Sequence, residues 1–413
     1  MIQLSGKTQG INFENKLTWK QIQAVAQKYN KMILVDCYAD WCMPCQEMDN
    51  KTFSEKKVGD RVNSNFISLK IQMDDTKIDS LKIKSHYNDV RNLIKIYNIK
   101  TYPTVLFFSP LGALVHKSIG FKEPDDFLDI ISNARTPDNQ YYTLIELYRK
   151  GKKEGKFIKR LAIMAKEMGD TDLAYEIASA YIDKLQDDQL YTKDNVLFIA
   201  DFTRRSKDRG FGLFYYHWDK VIGFIENKKF RDDLIDRIIA SEEIQPNIKD
   251  AKLKGNKPNW NSIMENVTRK YNKTFAERSI LKVKLGLYFG KDRKEFANSI
   301  YYYTVKYEDT TNFKTPISIK TICTNAWYIF EGSTDRGQLS SALSWMKKII
   351  KDNPNASNID TYANLLYKLG NKDAAIIWQE KAAKIDPSDK EVEIALMKMK
   401  KNENTWPDEL IQK

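Results

Sequence analysis

Cys42 and Cys45, separated by Met43-Pro44, are the residues of this chain whose type and spacing point most directly to chemistry. Cysteines three positions apart can be joined across one helical turn, where the Cα atoms lie about 5 Å apart. They follow an apolar run, Ile33-Leu34-Val35-Asp36-Cys37-Tyr38-Ala39, that reads as a β-strand, and they stand at the mouth of a helix. A thiol in that position faces unpaired N–H groups and the positive end of the helix dipole, which favour the thiolate. Pro44 suits a first helical turn because its missing N–H would have had no partner there. The pattern predicts thiol–disulfide exchange, with Cys42 attacking and Cys45 resolving the mixed disulfide.

The elements that must position this pair can be read around it. Thr18-Trp19-Lys20-Gln21 forms a capping box, and Trp19, Ile22, Val25, Ala26 and Tyr29 make one face of the helix it opens. That helix ends at Asn30-Lys31. A strand over 32–39 follows, then the helix of the cysteines from about Met43. Ser54 is placed to cap a second helix, and 66–71 reads as the next strand. Residues 74–87 read as a polar loop, and Val90, Leu93, Ile94 and Tyr97 have helical spacing. Strands 104–108 and 113–119 form a hairpin through Pro110-Leu111-Gly112, with a closing helix over 124–134. Asp36 stands inside the apolar strand, so its carboxyl is expected to be buried, with a raised pKa. The plainer alternative is an exposed aspartate at a strand end.

In combination these residues resemble the thioredoxin superfamily, whose motif is Trp-Cys-Gly-Pro-Cys after a strand carrying a buried aspartate. The resemblance covers residues 17–134. It implies an α/β fold with a central mixed sheet flanked by helices, and protein thiol–disulfide oxidoreduction. By resemblance, Asp36 handles the proton of Cys45, Lys70 is the lysine of the next strand, and Tyr102-Pro103-Thr104 holds the cis-proline loop. The backbone at Pro103, with Trp41 and Tyr102, is then expected to receive an extended client. Met43 replaces the glycine of the motif and supplies no cation between the cysteines, which favours a reductase or isomerase over a strong oxidant. The resemblance extends to exported bacterial proteins with Val-Asp-Cys-Tyr-Ala before the motif and a long helical C-terminal region.

Composition sets the rest. The 413 residues suggest two or three domains. We divide them into an arm (1–16), the thioredoxin-like domain (17–134), a linker (135–139) and an α-helical region (140–413). The formal net charge is +12, but lysines alternate with acids, which speaks against nucleic-acid binding. No apolar run is long enough for a membrane span. Cys37 and Cys323 read as small buried hydrophobes, and His86, His116 and His217 are too scattered for a metal site, so neither metal nor organic cofactor is expected. The implied partners are disulfide-bearing client proteins or peptides and an upstream electron donor. The resemblance suggests a periplasmic or exported protein, whereas a true start at Met1 would make it cytoplasmic.

Beyond the linker the pattern is helical. Gly337, Ala342, Ile349 and Pro354 recur 33 positions later as Gly370, Ala375, Ala382 and Pro387, a spacing that resembles the tetratricopeptide repeat. Residues 244–259, rich in Pro, Asn and Lys, read as a long loop, and Arg204-Arg205-Ser206-Lys207-Asp208-Arg209 as a solvated turn. The aromatic clusters at 211–218 and 301–303 read as core rather than as a peptide groove. A rival reading makes the chain a binding or assembly factor, with the helical array recognising a partner and the thiols accessory.

Overall fold

The computed structural model describes residues 10–14, 17–74, 92, 96–97, 99–225, 227–311, 313 and 315–407. The loop expected over 74–87, His86, and most of the helix expected near 90–97 lie outside the described residues. The chain forms two compact units, one running through Thr203 and including Asp208–Gly210, the other comprising Arg204–Lys207 and the chain from Phe211 on.

The first unit is built on a five-stranded sheet of β1 (Phe13–Glu14), β2 (Met32–Tyr38), β3 (Phe66–Gln72), β4 (Thr104–Phe108) and β5 (Leu114–Ile119). Their order is β1-β3-β2-β4-β5, with β1, β3 and β2 parallel and β4 and β5 antiparallel. The arm thus contributes a short edge strand. Helix α1 (Trp19–Tyr29) carries the expected capping box and stops at Asn30, whose left-handed backbone closes it. It covers the face formed by Ile33, Val35, Cys37, Leu106 and Phe108. Helices α2 (Met43–Met48), α3 (Lys56–Asn65) and α4 (Pro124–Arg135) belong to the opposite face, where Leu34, Phe53, Val58, Val62, Phe107, Phe127 and Ile131 form the core. Alternation along β2 puts Asp36 on the side of Leu34.

Ser54 does not cap α3. Its hydroxyl donates to the Asn50 carbonyl at 2.7 Å, because a π-helical turn, Asp49–Phe53, continues α2 and moves the cap to Glu55. Residues 137–139 form a single 3-10 turn, and α5 (Tyr141–Arg149), α6 (Gly155–Glu167) and α7 (Thr171–Ile182) follow at once. Arg209 is not simply solvated: its guanidinium bonds to the carbonyls of Ile182, the last residue of α7, and of Asp183 and Leu185 just after it, and to Asp187.

The second unit is all helical. From Trp260 on, helices Trp260–Lys270, Lys273–Tyr288, Arg293–Tyr307, Pro316–Gly332, Arg336–Asp352, Ala356–Lys368, Lys372–Ile385 and Lys390–Lys400 succeed one another. Asn259, Asn272, Asp292, Thr315, Asp335, Asn355 and Asp389 accept hydrogen bonds from first-turn N–H groups. Ala342, Ile349, Ala375 and Ala382 are buried, as their 33-residue recurrence suggests, but the two glycines differ. Gly370 follows a helix with φ +95°, whereas Gly337 lies inside the first turn of Arg336–Asp352. The loop expected over 244–259 is largely helix, Gln245–Leu253, because Pro246 falls in its first turn, where no amide is needed. Of the aromatic clusters, Phe211, Phe214 and Tyr303 are buried, while Tyr216 and Tyr302 are exposed. No described helix is long and apolar enough to cross a membrane.

Candidate active site

Strand β2 ends at Tyr38, and a short turn delivers Cys42 to the N-cap of α2. Cys42 and Cys45 are joined in a disulfide, with Cα atoms 5.3 Å apart. The Cys45 backbone N–H points at Cys42 Sγ, 3.2 Å away, so the sulfur accepts from the free end of the helix. Both cysteines are buried with Ala39, against Tyr38 and Tyr102, whereas Trp41 and Met43 on either side are 71% and 78% exposed. In the disulfide state both sulfurs are therefore covered, and the exposed surface is the flanking Trp41 and Met43. The Trp41 ring meets the Tyr102 ring edge to face, with centroids 6.0 Å apart. Tyr102-Pro103 is a cis peptide, and Gly120 N–H donates to the Pro103 carbonyl at 2.8 Å.

The register of the sheet places Asp36 directly beside Lys70 on β3. Asp36 is 1% exposed, and among its hydrogen-bonding atoms Oδ1 has no partner. Burial raises its carboxyl pKa to about 7; Lys70 pulls the other way, and Asp49 adds to the rise. Lys70 Nζ lies 3.7 Å from Asp36 Oδ2, but its hydrogen bonds go to both carboxylate oxygens of Asp49. The lysine is thus shared, and its closer partner is Asp49. Its ammonium also stands 4.8 Å from the centre of the Tyr38 ring.

Two residues here escaped the sequence reading. Asp49 lies four positions after Cys45, one turn further along the same helical face, which was its available signal. Asp74 follows β3 and accepts from the Asp40 N–H at 3.1 and 3.3 Å, holding the turn that leads to Trp41. Nothing in its local pattern distinguished it from the polar stretch it begins. Of the remaining cysteines, Cys37 is fully buried, its thiol pKa pushed far up by desolvation and then by Asp36. Cys323 is half-buried, with a pKa of about 11 caused by burial.

Residues 19–135 match the model of the thioredoxin-like domain family. The thiol:disulfide interchange protein DsbD of Yersinia pestis (strain Pestoides F) is 31% identical over 127 residues, which are 30% of this chain and 20% of that protein. DsbD of Actinobacillus pleuropneumoniae serotype 5b is 29% identical over 124 residues, covering 28% and 19%. The chain thus spans about a fifth of the length of these curated relatives. Among solved structures, a putative disulphide-isomerase from Bacteroides thetaiotaomicron is 25% identical, covering 32% of this chain and 94% of that one at a TM-score of 0.25. The oxidised C-terminal domain of Neisseria meningitidis DsbD is 21% identical, covering 30% and 98% at a TM-score of 0.24. Residues 19–135 of this chain are thus a thioredoxin-like domain.

Proposed function

We propose that the chain is a protein thiol–disulfide oxidoreductase that reduces or isomerises disulfides in client proteins or peptides. The observation that carries this reading is the Cys42–Cys45 disulfide at the open end of α2, on a sheet that buries Asp36. In the reduced protein, Cys42 thiolate attacks one sulfur of the client disulfide; a mixed disulfide forms and the other client sulfur leaves as a thiolate. Cys45, its proton taken by Asp36, then attacks Cys42 Sγ. The second client thiolate leaves, and two electrons have passed from the Cys42–Cys45 dithiol to the client. A dithiol donor must return them. Pro103, Tyr102 and Trp41 receive an extended client segment through backbone hydrogen bonds and ring contacts. Lys70, shared between Asp36 and Asp49, moderates the carboxyl of Asp36. The helical region aids client binding, and its helix pairs are arranged in the manner of tetratricopeptide repeats.

The reading is tested on the full chain, with dithiothreitol as donor and a disulfide-bonded peptide as client. Reduction should disappear in Cys42→Ser, while Cys45→Ser should accumulate the mixed disulfide. Equal trapping by both variants overturns the assignment of roles, and no turnover by the unmodified chain overturns the activity.

A further inference from the structure

His116 and Lys117 are neighbours on β5, and both are buried. Successive strand residues point to opposite faces, yet both reach the helical layer, which therefore wraps the edge of the sheet. Lys117 Nζ lies 3.0 Å from Asp170 Oδ2, and the same oxygen accepts the Tyr141 hydroxyl at 2.6 Å. The ammonium also stands 5.7 and 6.0 Å from the ring centres of Tyr141 and Tyr142. The backbone N–H of Tyr141 donates to His116 Nδ1 at 3.1 Å. Asp170 belongs to the turn between α6 and α7. The preceding Gly169 lies against Ile119, whose Cδ1 would be 3.3 Å from a Cβ placed there.

The other end of the same strand is tied to the redox site. Gly120 N–H holds the Pro103 carbonyl at 2.8 Å. The Lys122 N–H donates to Met48 Sδ at 3.4 Å, on the last residue of α2. Thr52 Oγ1 donates to the Lys122 carbonyl at 2.6 Å. A segment gripped by the helices at 116–119 therefore touches both the cis-proline loop and the cysteine helix at 120–122. The Lys117 side chain is 4% exposed, so without Asp170 its charge is unpaired and must move toward water, taking the strand with it.

We propose that Asp170 is a positioning residue for the exchange reaction: through Lys117 it fixes β5 against α5–α7 and so sets the Pro103 loop. This rests on the reading that the Pro103 loop receives the client. The site of action lies in the first helices after the sheet, residues with no role in the chemistry itself.

The test uses the full chain carrying Asp170→Asn, which keeps an acceptor for Tyr141 but removes the charge. KM for a disulfide peptide should rise by roughly two- to thirtyfold, the span of couplings through packed contacts, with kcat little changed. The backbone amide resonances of Thr104 and Gly120 should shift. Lys117→Arg keeps the ion pair and should keep the wild-type KM. A lower melting temperature with unchanged KM and unchanged Gly120 resonance overturns the proposal, because the pair would then be structural only. If Asp170→Asn does not fold, the Lys117→Met/Asp170→Leu double variant replaces the pair with apolar volume; wild-type KM and resonances in that variant also overturn it. If the unmodified chain reduces no peptide, the exchange reading fails on its own, and the Gly120 and Thr104 resonances still decide whether Asp170 sets the loop.

Discussion

Asp36 and His116 are both buried titratable groups of the first unit, and burial moves them in opposite directions. Folded Asp36 keeps its proton to about pH 7, against 3.8 for the ordinary group, so its contribution to stability is full in acid and is lost as pH rises from about 4 to 7. The gap corresponds to about 4 kcal/mol at most. His116 is depressed from 6.5 to about 4 by desolvation, so its contribution is full above pH 6.5 and is lost as pH falls toward 4. The two slopes oppose each other between pH 4 and 6.5, and the wild-type curve should be shallow there. Asp36→Asn removes one slope: denaturant melts should then show stability climbing from pH 4 to 6.5, with a net gain at pH 7. The same variant should slow resolution by Cys45 about a hundredfold, the scale of a lost positioned base, and leave the first attack unaffected. Unchanged resolution with lower stability would make Asp36 an ordinary structural aspartate. Asp49→Asn acts on the same carboxyl from outside. It removes a neighbouring negative charge and releases Lys70 toward Asp36, so the pKa governing resolution should fall, moving the pH–rate profile for that step toward acid. An unmoved profile would show that Asp49 only anchors the lysine.

Elements with strong local signals were legible in the sequence. The Thr18–Gln21 capping box, the Asn30 stop, the apolar β2 run and the Pro44 helix start all agree with the structure, because each is decided within a few residues. Part of what failed was decided by contacts remote in sequence, and part by a local turn without a sequence signal. The short strand Phe13–Glu14 exists because β3 offers it a parallel edge at Ser68 and Leu69. The π-helical turn at Asp49–Phe53 displaced the expected Ser54 cap, and no local pattern announces such a turn. Gly59 shows the same dependence on distant chain. An ideal Cβ there would stand 2.5 Å from the Gly10 carbonyl oxygen, because the arm crosses α3 at that point. Gly59→Ala would normally favour a helix interior, but here the obstacle is backbone. We expect a net loss of about 1–3 kcal/mol in chemical denaturation; a gain would show that the arm yields freely. In the second unit, Asp236 on helix Lys228–Ile239 takes two bonds from Arg278 on Lys273–Tyr288, at 2.6 and 3.0 Å. Arg278 is 6% exposed, so Asp236→Ala should cost about 3–5 kcal/mol by leaving a buried charge underpaired. A change of less than about 1 kcal/mol would mean that Asp232 alone satisfies the guanidinium.

At the scale of the whole chain, the motif and the fold that carries it were readable in the sequence. The family match ends at 135, and the break in pattern at Pro137 suggests a linker there. Yet the compact unit that holds the sheet continues through Thr203. The reason lies in contacts that no local pattern displays. Tyr141 is fully buried, its hydroxyl and amide engaged by Asp170 and His116, and the Gln140 side chain donates to the Ala134 carbonyl at 2.8 Å. Among the described residues, strand β5 is an edge strand that pairs with β4, and α5 packs against it. Cutting the chain at 135 would expose an unpaired strand edge and the apolar surface that Tyr141, Leu144 and Ile145 now bury. A fragment of residues 1–135 should therefore associate or melt well below the full chain's first transition. A fragment of residues 1–210 should stay soluble, melt with that transition and keep a reducible Cys42–Cys45 disulfide. Size-exclusion chromatography, thermal melts and thiol titration of the two fragments side by side decide the matter. A monomeric 1–135 fragment with an undiminished melting temperature would show that the helical layer is an accessory to the sheet and not part of its fold.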